Sequence, residues 1–297
     1  MTEIEKNISE EAIESKGLNQ NKPITKPFAI AVLIALFAAI LFKSFFLEAV
    51  KIPSASMEKT LRIGDVILVN KVAYSVKTPH FIPFTYIKIP SIHFFDTGKP
   101  KHNDIIVFNF PYEDNLYPSN RVDYVKRIIG CPGDTIKIIN RVVYINGIKD
   151  NFPIDALISK TKVAIAGLVD KEIFPEGKNW NADNYGPIVV PHKNEIVKIS
   201  SSNINEYKGL IDYEVGKGAV SIEGSVVTIS GIPVRQYKIK EDYYFVMGDN
   251  RNNSFDSRYW GFVPYNSIEG KAFLVFLSFD KNNSFSIRWD RVFKTIN

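Results

Sequence analysis

One long apolar stretch near the start of the chain constrains the fold more than any other feature. It reads PFAIAVLIALFAAILFKSFFLEAV and contains 16 uncharged residues between Lys26 and Lys43. Counted through Lys43, residues 28–47 give about 30 Å of helix, which matches the thickness of a bilayer core. Lys43 would lie near one end, where its aliphatic stem can reach the membrane interface. The stretch therefore predicts one transmembrane helix over residues 28–47.

The residues before this stretch help to distinguish a permanent membrane anchor from a signal peptide that is cleaved off. Residues 1–27 are polar and mixed in charge, which predicts a largely disordered tail. A cleaved signal peptide is the alternative, but its apolar core would be longer than the usual ~7–15 residues. Lysines flank the stretch on both sides, so the positive-inside rule does not decide the orientation of the anchor.

Charge and cysteine content exclude several function classes. The chain of 297 residues has 37 basic and 32 acidic residues, a formal net charge of +5. No dense Lys/Arg stripe is present, so we expect no nucleic-acid partner. The single cysteine, Cys131, excludes an internal disulfide, a Cys-based zinc site and a CxxC redox motif.

The rest of the chain is typical of a mainly β protein. Runs such as DVILVNKVAY, DIIVFNF, DYVKRIIG, RVVYING and KAFLVFLSF are rich in Val, Ile, Phe and Tyr and are interrupted by Gly, Pro, Asn and Asp. No βαβ rhythm is visible. Residues 48–149 and 241–297 predict an antiparallel β-sheet catalytic body. Residues 150–240 are more weakly patterned and predict a smaller inserted β subdomain.

The segment KIPSASMEKTLRIGD, just after the apolar stretch, carries two closely spaced serines. Ser56 and Lys59 fit the S-x-x-K pattern of β-lactamases and penicillin-binding proteins, but the companion S-D-N and K-T-G motifs are missing from the sequence. A Ser-His-Asp triad is disfavoured because the sequence has no G-x-S-x-G elbow. Three of its four histidines lie around one aromatic loop, and no second element points a serine at them.

A lysine elsewhere in the chain is the remaining candidate for a base. Lysine has a pKa of ~10.4 in water, so it must be buried in apolar surroundings to accept a proton near neutral pH. In VDYVKRIIG, strand alternation places Tyr124, Lys126 and Ile128 on one face. On this segment alone, a lysine at a strand edge with its amine in solvent remains the competing interpretation.

Several motifs in order resemble the bacterial type I signal peptidases, the membrane-bound Ser/Lys proteases of secretion. These motifs are IPSASM, GDVILVNKVAY, DIIVF, DYVKRIIGCPGD and MGDNRNNSFDSRYWGFVP. The resemblance covers about residues 43–147 and 241–280. Three positions depart from the family pattern, at Ala55 between the serines, at Lys59 where proline is usual, and at His102-Asn103 before the DIIVF strand. None of them removes a group that does chemistry.

The resemblance implies the roles of individual residues. Ser56 is the implied nucleophile, Lys126 the general base, and Ser54 the side-chain donor of the oxyanion hole. Ser254 would orient the lysine amine, Asp256 and Arg258 would form a supporting charged pair, and Lys59 and Arg127 would be surface charges. Ile52, Pro53 and Tyr124 are candidate substrate-binding residues. The implied mechanism needs no metal and no organic cofactor.

The resemblance also implies partners and location. The partners would be secretory preproteins, cleaved after small residues at −3 and −1, and the lipid bilayer. The N-terminus would be cytoplasmic and the catalytic body would lie outside the inner (plasma) membrane. The alternatives are a soluble-type Ser/Lys autoprotease, a conjugation-type maturation peptidase, and an anchored non-catalytic β module that binds secretory precursors.

Overall fold

The computed structural model of the protein describes residues 26–78, 92–112, 123–151, 162–280 and 286–296. Its chain divides into two units, residues 1–43 and residues 44–297. The predicted disordered tail therefore lies almost wholly outside the described residues. The same is true of the aromatic residues between 81 and 86 and of His80.

Helix α1 begins at Lys26 and ends at Phe46, close to the limits that the sequence predicts. Its apolar side chains are largely exposed, including Leu33, Ile34 and Phe37. None of the helices in the described part of the chain combines the length and apolar character that crossing a bilayer requires. The membrane span over residues 28–47 therefore stays a prediction.

The described part of residues 44–297 is mainly β, as predicted, and contains two further α-helices. The helices are α2 (Ile204–Val215) and α3 (Ser257–Trp260). The strands are β1 (Leu47–Lys51), β2 (Asp65–Asn70), β3 (Ser75–Lys77), β4 (His93–Asp96), β5 (Ile105–Asn109), β6 (Asp123–Gly130), β7 (Thr135–Ile139), β8 (Val142–Ile145), β9 (Ile148–Lys149), β10 (Tyr185–Val189), β11 (Ile196–Lys198), β12 (Val220–Glu223), β13 (Val226–Ile229), β14 (Ile232–Pro233), β15 (Gln236–Lys238), β16 (Tyr243–Met247), β17 (Val263–Pro264), β18 (Ile268–Ser278) and β19 (Lys294–Thr295).

The largest sheet has eight strands in the order β1-β2-β18-β5-β6-β16-β17, with β19 paired to β18. All of its pairings are antiparallel. Strand β2 alternates buried and half-buried residues, and Ile67 and Val69 enter the core that also contains Met57 and Leu61. Strand β6 is buried on both faces from Val125 to Gly130, because structure covers each face of the sheet there. A central, doubly buried strand is a rigid base for a side chain that does chemistry.

A second sheet has the order β10-β7-β8-β9. Its strand β10 comes from the segment predicted to be an insertion, whereas β7, β8 and β9 precede residue 150. The predicted division at residue 150 stays a prediction. The segment also contains α2, whose buried Ile204, Leu210 and Ile211 pack into the core. The sequence interpretation missed this helix.

Candidate active site

The two serines lie in the loop of residues 53–64, which joins β1 to β2. The loop is closed at its base, where Ile52 N–H donates to Asp65 O (2.8 Å) and Gly64 N–H donates to Ile52 O (3.0 Å). Its interior is held by the buried side chains of Met57 and Leu61. The loop is therefore packed against the core of the large sheet. Ser54 and Ser56 lie on its outer part, where Ser54 is exposed and Ser56 is half-buried.

The C-terminal part of the chain also fixes this loop. Arg291 donates to the carboxylate of Asp65 from Nη2 (2.5 Å) and to the backbone oxygen of Thr60 (2.9 Å). The Ser278 hydroxyl donates to the same carboxylate (2.6 Å). Burial alone would raise the pKa of Asp65, but Arg291, the Arg62 amide and Ser278 hold it below its usual value. The sequence interpretation did not identify this anchor.

The amine of Lys126 meets the hydroxyl of Ser56. Lys126 lies on β6 and is 3% exposed, and its Nζ is 2.8 Å from Ser56 Oγ. The amine also lies 5.7 Å from the centre of the Tyr124 ring. The structure therefore joins two groups that are 70 residues apart in the sequence and that were predicted to act together.

The surroundings of Lys126 change its proton affinity. The pKa of the amine is lowered to about 8, mainly by burial. The positive charge of Arg258 acts in the same direction, whereas the carboxylates of Asp256 and Asp249 oppose the shift. At pH 7 a pKa of about 8 leaves roughly a tenth of the amine neutral, against fewer than one in a thousand for a lysine in water. A neutral amine 2.8 Å from a hydroxyl can accept its proton.

Ser54 and Ser254 are both close to Ser56. Ser54 Oγ lies 3.4 Å from Ser56 Oγ. Ser254 is 9% exposed. Its hydroxyl and the Ser56 carbonyl oxygen both lie against Gly248: a Cβ added to that glycine would collide with Ser254 Oγ and lie 2.5 Å from the carbonyl oxygen. Ser254 is near enough to Asp256 to help lower the pKa of that carboxylate, yet its Oγ has no hydrogen bond of ordinary geometry among the described residues.

Asp256 and Arg258 form a buried ion pair with two parallel contacts. Arg258 Nε donates to Asp256 Oδ1 and Nη2 donates to Oδ2, each at 2.9 Å. Asp256 also caps the N-terminus of α3 and accepts from the Gly248 amide (3.1 Å). The Arg258 guanidinium outweighs the effect of burial and keeps the pKa of Asp256 below its usual value. The pair fixes the 248–256 loop, which carries Ser254.

Arg127 is not the surface charge that was predicted. It is 1% exposed, and it donates to Asp249 from Nε (2.9 Å) and Nη2 (2.8 Å). Asp249 also accepts from the Thr60 hydroxyl (2.6 Å). Strand alternation places Arg127 on the face opposite Lys126, and the sequence does not show that this face is covered by the 248–256 loop.

A cavity of about 310 Å³ opens beside the serine and the lysine. All three candidate substrate-binding residues line it, as do both members of the Ser56–Lys126 pair. The lining also includes residues that the sequence interpretation did not select, among them Met57, Val125, Asn253 and Phe255. The cavity is mostly apolar, and short side chains contribute to its wall at Ser54 and Ala55.

The competing lysine and histidines take other positions. Lys59 is exposed, so it lacks the apolar surroundings that a lysine base needs. The side-chain hydrogen bonds of His93, His102 and His192 that the structure describes go to carboxylates and backbone oxygens. Within the described residues, none of these three histidines is hydrogen-bonded to a serine hydroxyl.

Comparison with known proteins shows the family to which the chain belongs. Residues 25–277 match the family described as "Signal peptidase, peptidase S26". The chain is 30% identical to the signal peptidase I of Pseudomonas aeruginosa over 268 residues, which cover 86% of this chain and 74% of that one. It is 33% identical to the signal peptidase I of Buchnera aphidicola subsp. Schizaphis graminum, with 84% and 73% covered.

A further relative and a solved structure are also similar to this chain. The signal peptidase I of Helicobacter pylori 26695 is 30% identical over 90% of this chain and 89% of that one. A crystal structure of a signal peptidase I from Enterococcus faecalis is 25% identical and covers 58% of this chain and 96% of that one, with a TM-score of 0.24. Because that score supports no structural argument, the assignment rests on the sequence matches. The chain belongs to the signal peptidase family, peptidase S26, and is a serine peptidase.

Proposed function

We propose that this peptidase removes signal peptides from secreted preproteins, with Ser56 as nucleophile and Lys126 as general base. The observation that carries the proposal is the 2.8 Å separation between Lys126 Nζ and Ser56 Oγ. It is supported by the lowered pKa of the lysine, which makes the neutral amine accessible near neutral pH. The family relationship supports the substrate class.

The acylation step follows from these positions. Neutral Lys126 takes the proton of the Ser56 hydroxyl as its oxygen attacks the scissile carbonyl. The negative charge on the carbonyl oxygen is stabilised by the Ser56 backbone N–H and the Ser54 hydroxyl, each contributing roughly 3 kcal/mol in the transition state. As the C–N bond breaks, Lys126 gives its proton to the leaving amine, and an acyl-enzyme remains on Ser56.

The deacylation step uses the same base. A water molecule loses its proton to Lys126 and attacks the acyl carbonyl, and the proton then returns to Ser56 as the ester bond breaks. Ser254 would act as a positioning residue for the lysine amine. The buried Asp256–Arg258 pair would hold the loop that carries this hydroxyl.

The cavity beside Ser56 supports a preference for small residues at −3 and −1. It is mostly apolar and of limited volume, at about 310 Å³. Ile52 and Tyr124 supply apolar walls, and Pro53 stiffens the edge nearest the serines. The limited volume disfavours large side chains, and a charged side chain would lose much of its hydration in the mostly apolar cavity.

We also propose that α1 anchors the enzyme in the inner membrane, with a cytoplasmic N-terminus and the catalytic body on the outer side. The apolar composition of residues 28–47 and the exposed apolar side chains of α1 support the anchor. Protease added to the outside of intact spheroplasts should degrade the catalytic body and leave an N-terminal fragment. Full protection of the body would contradict this orientation.

The decisive experiment is cleavage of a purified preprotein with an Ala-x-Ala site by the full chain in detergent. We expect cleavage directly after that site, and no cleavage by Ser56→Ala or Lys126→Ala. A preprotein with Trp at −1 is the substrate control and should remain intact. Lys59→Ala is the matched lysine control and should retain full activity, because this lysine is exposed.

The alternatives predict other outcomes. Binding of the preprotein without cleavage at any pH would indicate a non-catalytic module. Cleavage of a conjugative pilin precursor but not of the secretory preprotein would indicate a maturation peptidase. Self-cleavage with no action on either substrate would indicate an autoprotease.

A further inference from the structure

A cluster of three possible metal ligands lies at the ends of β5 and β6. His102, Cys131 and Asp134 each offer one ligand atom, and these atoms all lie within 4.8 Å of one another. His102 belongs to the turn before β5, whereas Cys131 and Asp134 belong to the turn after β6. The reaction proposed for Ser56 and Lys126 does not use any of the three side chains.

One hydrogen bond of His102 indicates which ring nitrogen can act as a metal ligand. Nδ1 lies 3.0 Å from the backbone oxygen of Ile129, and a carbonyl oxygen only accepts, so Nδ1 carries a proton. The other nitrogen, Nε2, lies 3.0 Å from Asp134 Oδ2. In the neutral ring this places a lone pair against a carboxylate oxygen. Both atoms can therefore serve as ligands of one cation bound between them.

The carboxylate is also oriented by its neighbours. Asp134 Oδ2 accepts from the backbone N–H of Cys131 (2.7 Å), and Oδ1 accepts from Asn146 Nδ2 (2.7 Å). A ring N–H bonded to a backbone carbonyl and a carboxylate held by amide donors are the arrangements that support metal ligands in proteins. The Asp134 side chain is 14% exposed and that of His102 is 41% exposed, which leaves a path for an ion from solvent.

We propose that His102 Nε2, Cys131 Sγ and Asp134 bind a divalent transition-metal ion of the zinc type. One nitrogen, one sulfur and one oxygen form a borderline ligand set that suits Zn²⁺ and Co²⁺ and disfavours Mg²⁺ and Ca²⁺. Binding displaces the thiol proton, so the complex contains a thiolate. Three protein ligands leave the fourth position of a tetrahedral ion for water. This mixed site would revise the sequence-based expectation that a single cysteine excludes a Cys-based zinc site.

The bound ion would tie two turns together. Arg127 already donates to the backbone oxygen of Asn103 (2.8 Å), next to His102, and Ile128 N–H donates to Asp104 O (2.9 Å). The ion would add a further link at the end of β6, five residues beyond Lys126. We therefore expect a stabilising role for the metal, separate from the catalytic step.

The test uses the full, untagged chain in detergent, stripped of metal and titrated with Co²⁺. Because Cys131 is the only cysteine, a near-ultraviolet band from thiolate-to-cobalt charge transfer reports this site alone. We expect one Co²⁺ per chain, displacement by Zn²⁺, and loss of the band in Cys131→Ser. His102→Gln should weaken binding at least tenfold. Zn²⁺ should raise the melting temperature of the parent chain and not that of Cys131→Ser.

A second histidine provides the matched control. His192 Nε2 faces Glu195 at 4.0 Å and has no thiol in its pair, so His192→Gln should bind Co²⁺ like the parent chain. Absence of the charge-transfer band at saturating Co²⁺ in the folded parent would overturn the proposal. An unchanged band in His102→Gln would overturn the assignment of that ligand.

Discussion

The guanidinium of Arg127 and the carboxylate of Asp249 form a buried ion pair that joins β6 to the 248–256 loop through two hydrogen bonds. The Thr60 hydroxyl donates to the same carboxylate, so the pair also holds the 53–64 loop. Lys126 immediately precedes Arg127 in the chain. The distance between the base and the nucleophile therefore depends on an ion pair that takes no part in the chemistry.

Removal of one member of this ion pair should strongly destabilise the protein. Arg127→Met or Asp249→Asn leaves a buried charge without its partner, and we expect a loss of about 3–5 kcal/mol in the free energy of unfolding. Denaturant unfolding monitored by circular dichroism measures it. The control is Lys99→Ala, which breaks the exposed Lys99–Asp242 pair (3.8 Å) and should cost less than about 1 kcal/mol. Equal losses in the two variants would contradict the structural role of Arg127.

The rate of cleavage should follow the titration of Lys126. Its pKa is lowered to about 8, and only the neutral amine accepts the serine proton. Single-turnover cleavage should therefore rise about tenfold per pH unit in acid and level off above about pH 8. Circular dichroism at each pH excludes unfolding as the cause of low rates. A rate independent of pH between 6 and 9 would exclude a lysine base in this range.

Replacement of Lys126 should separate activity from stability. Lys126→Met and Lys126→Arg should both abolish cleavage, since neither supplies a neutral amine. The pKa of the lysine falls from a reference value of 10.5 to about 8 on folding, so protonation opposes folding at neutral pH. Lys126→Met should therefore stabilise the protein by up to about 3 kcal/mol at pH 7.

The sign of this effect defines its pH range. Below pH 8 the lysine is protonated in both the folded and the unfolded chain, and the full cost is present. As pH rises from about 8 to 10.5 the folded state loses its proton first, and the cost disappears. Melting curves of Lys126→Met and the parent should therefore converge at high pH. A stabilisation that is the same at pH 7 and pH 11 would show that protonation is not its cause.

The sequence predicted the pairing of Ser56 and Lys126 because several motifs occur in the order of the signal peptidase family. Neither the serine segment nor the lysine segment was sufficient alone. It did not predict the burial of Arg127, since strand alternation identifies opposite faces but not which faces are covered. The apolar spacing of Ile204, Tyr207, Leu210 and Ile211 does indicate helix α2. The surrounding Gly, Asn and Lys residues mask this signal, because they are typical of a loose segment.

Ser254 should affect the cleavage rate by positioning the Lys126 amine, and it should not affect the stability of the fold. Its hydroxyl is buried close to the Ser56 backbone. The Asp256 carboxylate that it approaches keeps its hydrogen bonds from Arg258 and from the Gly248 N–H when the hydroxyl is removed. Ser254→Ala should reduce the single-turnover rate at least tenfold, with an altered pH profile and an unchanged melting temperature.

A second buried serine on the same segment provides the control for Ser254. The Ser257 hydroxyl accepts from Val246 N–H (2.9 Å), so Ser257→Ala should lower stability by about 1 kcal/mol. The cleavage rate per folded molecule should stay near that of the parent. A parental rate and pH profile in Ser254→Ala would remove Ser254 from the catalytic mechanism.

The catalytic body should bind membranes without α1. The run from His80 to Phe95 is rich in aromatic residues, and its first part lies outside the described residues. Phe94 and Phe95 are 55% and 58% exposed on β4. Trp289 is 73% exposed, whereas Trp260 packs against Phe108 and Phe110 and is not available. Exposed aromatic rings favour the lipid–water interface.

A chain that begins at Ser44 keeps β1 paired with β2, whereas removal of residues 1–47 would cut into that strand. We expect residues 44–297 to fold, to cleave the preprotein and to co-sediment with anionic vesicles. Replacing Phe94 and Trp289 with Ser should weaken vesicle binding at least tenfold without lowering the melting temperature, because more than half of each side chain is already in solvent. Replacing Trp260 should instead lower the melting temperature. Unchanged vesicle binding by the double variant would assign membrane contact to other residues, and a fall in its melting temperature would place these rings in the core.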